Sequence, residues 1–159
     1  GEFAPWLEHV GNIAAPAEGR LADPGAWTRE QIEFCSQVED FKARARNLLT
    51  PATASLSQLT WELEGFVRNA RRFALSQGRG SEAGQSPDEF RTALQLTVGA
   101  LRYVAVALSC VAVSTGQALW RAAGGVDQAT WQAADADFLR ARQIVPAALL
   151  ELSNNVRSA

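Results

Sequence analysis

The run Tyr103–Trp120, YVAVALSCVAVSTGQALW, carries no charge over eighteen residues and is bounded by Arg102 and Arg121. A helix this apolar has two stable settings, the hydrocarbon of a bilayer or the interior of a helical bundle. A bilayer span needs about 20 mostly apolar residues. The run is slightly short, is diluted by Ser109, Ser114, Thr115, Gly116 and Gln117, and is built mainly from Ala and Val. Amphipathic stretches elsewhere in the chain need an apolar partner. The run is therefore expected to be the central helix of a water-soluble bundle.

With 159 residues the chain can form one domain with a sizeable core. At 47% hydrophobic and 20% charged residues it is globular in composition. A formal charge of −2 supplies no global field toward polyanions, so nucleic acid is not an expected partner. Gly1-Glu2-Phe3 reads as a cloning remnant, and the lack of methionine suggests a piece of a longer protein. Cys35 and Cys110 are too few for a disulfide framework and read as buried, reduced thiols, with a single interhelical bridge as the alternative.

Periodicity and capping divide the chain. Residues 4–27 read as a short helix around Trp6, Leu7, Val10 and Ile13 and an irregular strap, ahead of a bundle over 28–155 and a frayed tail over 156–159. The first bundle helix starts at the Thr28/Gln31 capping box and carries Phe34, Val38, Phe41, Ala45 and Leu48 on one stripe. Thr50-Pro51 predicts a turn. The second helix follows the heptad Leu56, Leu59, Leu63, Phe66, Ala70, Phe73 and stops at Gly78. After a loop over Gln77–Gln85, the third opens at Ser86-Pro87-Asp88-Glu89 and is expected to run unbroken to Gly124, roughly 55 Å. The fourth is expected from Asp127 onward, kinked by Pro146. The fold class is all-α, an antiparallel up-down-up-down four-helix bundle with a short N-terminal helix or strap. The alternative is a three-helix bundle whose first helix is long and kinked at Pro51.

Motifs for chemistry are sparse. His9 is the single histidine and reads as a strap or surface residue. No Glu-x-x-His pair, zinc-spaced cysteine pair or phosphate-binding glycine loop occurs, so no catalytic residue, metal or cofactor is assigned. Arg68, Arg71 and Arg72, with Arg79 beyond, form a basic cluster at three- and four-residue spacing, for which helix-end charge placement and a Glu64–Arg68 pair are the commoner explanation and an acidic binding partner the sharper one. Arg102 is expected to pair with a carboxylate or to reach water. Trp120 and Trp131 flank one turn, and Trp61 and Trp6 are candidate exposed anchors.

These features support a non-enzymatic, cytoplasmic protein–protein interaction (adaptor or scaffold) domain of a larger protein. Its expected contacts are Arg68, Arg71, Arg72, Arg79, Trp61 and Trp6, its partner an amphipathic helix or acidic segment. Two alternatives stand beside it. One is a membrane-targeting or lipid-binding bundle that meets an anionic membrane surface. The other is a bundle holding a small hydrophobic ligand.

Overall fold

Reciprocal caps set the helix starts in this computed structural model, which describes residues 1–78 and 84–159. The Gln31 amide donates to Thr28 Oγ1 at 3.2 Å, and the Thr28 amide donates back to Gln31 Oε1 at 3.0 Å. This pair opens α2, Arg29–Leu48. Ser55 caps α3, Leu56–Ser76, by accepting from the Gln58 amide. Ser86 and Glu89 repeat the reciprocal pattern at α4, Pro87–Ser109, with proline in its first turn. Residues 50–53 form turns, so α2 and α3 are separate helices and the long kinked rod is ruled out.

Helices α2 and α3 pack antiparallel. Phe34 stacks on Phe73 at 4.0 Å between centroids, and Phe41 on Phe66 at 4.2 Å, so residues later in one helix meet residues earlier in the other. Beneath them α4 runs in the same direction as α2. Its start receives a hydrogen bond from Gln31 Nε2 to the Glu89 carbonyl at 2.8 Å, and further along Lys42 lies over the Tyr103 ring. Helix α4 is the core element, with every residue from Thr92 to Ala107 buried. It is long and apolar enough to cross a membrane, and 89% of that apolar window is buried within the bundle.

Two expected helices are divided. The uncharged run does not continue as one rod. It turns at Cys110–Ala112, and α5, Val113–Ala122, folds back along α4 as a helical hairpin. Gly116 permits the close approach, because a Cβ there would lie 2.4 Å from the Ser109 backbone nitrogen. The fourth helix is also interrupted. Thr130, rather than Asp127, caps the short helix α6, Trp131–Asp137. Pro146 then begins α7, Pro146–Ser158, at the position where a proline lacks no hydrogen bond. The expected kink is a new helix start, and α7 continues through most of the expected frayed tail.

The N-terminal segment is more ordered than a strap. Helix α1, Phe3–Ala14, and a short 3-10 turn, Ala15–Ala17, lead into β1, Arg20–Leu21. Strand β1 pairs antiparallel with β2, Arg142–Gln143, placing Arg20 opposite Gln143. Gly19, at φ +76°, enables this approach; a Cβ would sit 2.3 Å from the Ile144 carbonyl oxygen. Helix α1 lies antiparallel to α7, with Ser153 Oγ donating to the Ala4 carbonyl at 2.8 Å and Gly11 against Leu150. His9 Nε2 donates to the Ala74 carbonyl at 3.2 Å, tying α1 to the end of α3. The result is an all-α bundle of seven helices among the described residues, with one minute two-stranded ribbon.

Candidate functional site

The sequence-derived contact residues separate in space. Trp61, Arg68 and Arg72 line a continuous groove between α2 and α3. Trp61 is 74% exposed and stands at one end of it. Arg71 turns away and donates to Glu2 at 2.6 Å, which holds the Glu2 carboxyl below its ordinary pKa. Trp6 is fully buried in the α1 core and presents nothing to a partner, contrary to expectation. Its helix packs that face inward between α3 and α7. Arg79 lies outside the described residues, as does most of the loop before α4.

The α2–α3 groove has an aromatic floor and a polar rim. Phe41 and Phe66 lie beneath a bay of about 300 Å³, bordered by Trp61, Gly65, Arg68, Asn69, Gln37 and Asp40. Arg44 donates to Glu62 at 3.3 Å across the groove. Among the described residues Arg68, Arg72, Asn69 and Gln37 make no side-chain hydrogen bond or ion pair. Gly65, Gln37, Asn69 and Arg44 belong to this site although sequence reasoning passed over them. The available signal was Gly65 itself, a glycine inside a strong heptad helix.

A second groove, of about 670 Å³, lies where α1, β1 and the first turns of α4 meet. Ile13, Leu21, Phe90 and Leu94 form its apolar wall, and Asn12, Arg20 and Arg91 stand at its rim. Arg20 has a loose contact with Glu18 at 3.9 Å, both side chains being largely exposed, and Arg91 pairs with Asp88 at 3.1 Å. Exposed pairs of this kind are weak and readily exchanged for another anion. Sequence periodicity could not assemble this groove, because it depends on β1 folding back over α4.

Two polar clusters serve the fold. Tyr103 Oη donates to Asp135 Oδ1 at 2.6 Å, and Lys42 donates to Asp135 at 3.1 Å and to Glu39 at 2.8 Å. Burial opposes the charge of Asp135, but the bonds from Tyr103 and Lys42 outweigh it and lower the carboxyl pKa. Burial likewise opposes the Lys42 charge, and its two carboxylate partners still raise its pKa. Burial, reinforced by the Asp135 bond, raises the Tyr103 pKa.

Arg102 is 1% exposed and, among the described residues, pairs with no carboxylate, contrary to expectation. Its Nε donates to the Ala123 carbonyl at 2.9 Å and its Nη1 to the Asp137 carbonyl at 3.2 Å. The Asp137 carboxylate is taken by Arg142. Burial and the neighbouring Arg142 lower the Arg102 pKa to about 10. Cys35 is half-buried, with its thiol pKa raised by burial, whereas Cys110 is exposed rather than buried; the two are unpaired. Trp120 is buried against Gly125, and Trp131 stacks on Tyr103 at 6.4 Å, so the two tryptophans that flank the turn have different packing partners.

No protein-family model and no curated protein sequence matches the chain. Solved structures do resemble it. The structure of Mycobacterium tuberculosis methionyl-tRNA synthetase bound by methionyl-adenylate matches with a TM-score of 0.76 at 18% identity. That match covers 92% of this chain and 30% of the synthetase chain. The free form of the same synthetase matches with a TM-score of 0.73 at 17% identity, over 92% of this chain and 30% of that one. The chain thus spans less than a third of the synthetase chains whose fold it shares. This likeness corrects the expected adaptor or scaffold function, together with its membrane-targeting and hydrophobic-ligand alternatives, since the fold is one carried by an aminoacyl-tRNA synthetase. The apolar stripes from which that function was inferred are packing stripes, and they serve equally well in a helical part of an enzyme.

Proposed function

We propose that this chain is a tRNA-contacting helical module of an aminoacyl-tRNA-synthetase-like protein. The fold likeness to methionyl-tRNA synthetase over 92% of the chain carries the reading. An enzyme of that name must hold a large RNA as well as a small amino acid. Small-ligand chemistry calls for a concave site with convergent polar groups. RNA recognition instead uses surface grooves in which unpaired bases stack on aromatic rings while arginines meet phosphates. The groove between α1, β1 and α4 has that composition, with Phe90 for stacking, the Asn12 amide for a base edge, and Arg20 and Arg91 at the rim.

The module binds and positions; it is not itself the catalyst, and a cytoplasmic location accompanies the reading. Nucleic acid was not expected as a partner because the net charge is −2. A net charge of −2 governs long-range attraction, whereas binding here is local. Two rim arginines at single-stranded phosphates give a salt slope of about −1.4 in log K against log salt. The isolated chain should therefore bind tRNA weakly, and measurably only at low ionic strength.

Fluorescence anisotropy with labelled, unfractionated tRNA at low salt tests the proposal. The double variant R20E/R91E, altered only at exposed side chains, should bind at least fivefold more weakly while keeping its helical circular dichroism. Absence of tRNA binding by the unaltered chain at low salt overturns the reading.

A further inference from the structure

One face of α4 seats the non-helical parts of the chain. Thr92, Gln95, Gly99 and Arg102 recur at spacings of three and four and share that face. Each meets a chain reversal or a helix end. Thr92 Oγ1 donates to the Ala26 carbonyl at 2.8 Å. Gly99 leaves room for the Phe138 ring, which a Cβ would approach to 2.6 Å. Arg102 holds the Ala123 and Asp137 carbonyls. Of the four, Gln95 joins the two sides of the β-ribbon. Its Nε2 donates to the Ala22 carbonyl, just after β1, at 2.6 Å and to the Arg140 carbonyl, just before β2, at 2.9 Å. We infer that Gln95 is the positioning residue of the groove between α1, β1 and α4, an inference that rests on the tRNA-contacting role proposed for that groove. Gln95 touches no RNA; it fixes how far β1 stands from α4, and so the width of the cleft.

The layout of the groove makes that width depend on one side chain. Arg20, Leu21 and Ala22 form its β1 side, and Phe90, Arg91 and Leu94 its α4 side. Gln95 follows Leu94 in the chain and bonds Ala22, so it spans the base of the cleft. The ribbon cannot hold its own place, because β1 has two residues and an isolated two-stranded pair is marginal in water. A second link between the same segments, from the Ala141 amide to Asp23 Oδ1 at 3.2 Å, is exposed, and water competes with it. Gln95 is 1% exposed. Its neutral amide supplies two donors from one nitrogen without adding a second buried charge two turns from Arg102. Its oxygen has no partner among the described residues, a cost borne for the two donors.

Two substitutions at this position separate positioning from bulk stability. Gln95→Met keeps the length and helix propensity of the side chain and removes both donors. Gln95→Glu sets a carboxylate against two carbonyls, and its acid form, which burial favours, regains one donor. In anisotropy at low salt and pH 8, both should bind unfractionated tRNA at least fivefold more weakly than the unaltered chain. Between pH 8 and pH 5 the deficit of Gln95→Glu should shrink at least twofold, and that of Gln95→Met should stay constant. Each value is a ratio to the unaltered chain at the same pH, so titration of His9 and of the RNA cancels. Asp23, Asp88, Arg91 and Arg140 flank the contact in every protein compared. Tyr103→Phe, which gives up the bond to Asp135 away from the groove, controls for lost stability and should bind tRNA as the unaltered chain does. Affinity of Gln95→Met within twofold of the unaltered chain overturns the inference, as does an equal loss in Tyr103→Phe or a pH-independent deficit in Gln95→Glu. If Gln95→Met fails to fold, Gln95→Glu at the two pH values carries the test. Binding of tRNA that is indifferent to residue 95 removes only the positioning role, whereas no tRNA binding by the unaltered chain removes the reading of the groove with it.

Discussion

Asp135 shows how much one exposed side chain can organise. It accepts from Tyr103 at 2.6 Å and Lys42 at 3.1 Å, joining α6 to α2 and α4. Its folded pKa is depressed, so its contribution is present above the unfolded value of about 3.9 and is lost as pH falls through the lower folded value. Lys42 has the opposite sign. Its raised pKa gives a contribution complete below about pH 10.4 and lost as pH rises through the folded value. Asp135→Asn should cost about 1 kcal/mol at pH 7, a figure reduced from that of buried charged bonds because the carboxylate is solvent-accessible. Chemical denaturation of both proteins across pH 2–7 checks this: the gap between them should be constant above about pH 5 and narrow as pH falls below about 4. Arg102 teaches a complementary point. Its presence in an apolar surface was plain in the sequence, but its partners are two backbone carbonyls at distant chain reversals, which no side-chain pattern encodes.

At the scale of elements, glycine sets how closely two helices can approach. In α5 a Cβ at Gly116 would strike the Ser109 backbone, so Gly116→Ala should spread the α4–α5 hairpin. Overpacking should outweigh the gain in helix propensity, leaving a net loss of about 1–3 kcal/mol in thermal or denaturant unfolding. An unchanged stability would show that the hairpin packs less tightly than these distances require. Helix starts were legible in the sequence at the reciprocal caps of Thr28 and Ser86, whereas the Thr130 cap of α6 was hidden by Asp127 three residues earlier, an equally good capping residue. Two helix ends were not legible. The turn at Cys110–Ala112 lies in a stretch with no proline, and there tertiary closure against Gly116 decides the break. Pro146 was legible as a discontinuity but not as a beginning, since proline permits both a kink and a first turn.

Over the whole molecule, the all-α class and the burial of α4 could be read from periodicity, whereas the candidate surfaces could not. Trp6 and Trp61 are alike as aromatic residues at helical spacing, yet one is fully buried and the other 74% exposed. Only the placement of α1 against α7 distinguishes them. That placement also makes α1 indispensable. Trp6, Leu7 and Val10 are fully buried, each worth about 1.5–3 kcal/mol, so a chain lacking residues 1–19 should lose its cooperative thermal transition and bind a hydrophobic dye. A sharp transition with no dye binding would assign α1 a peripheral role.

The pairing of α1 with α7 sets the beginning of one helix beside the later turns of the other, with Ala4 against Ser153 and Glu8 against Arg157. A tether pulling on both flanks would peel these helices apart from that end, one contact after another, as a zipper opens.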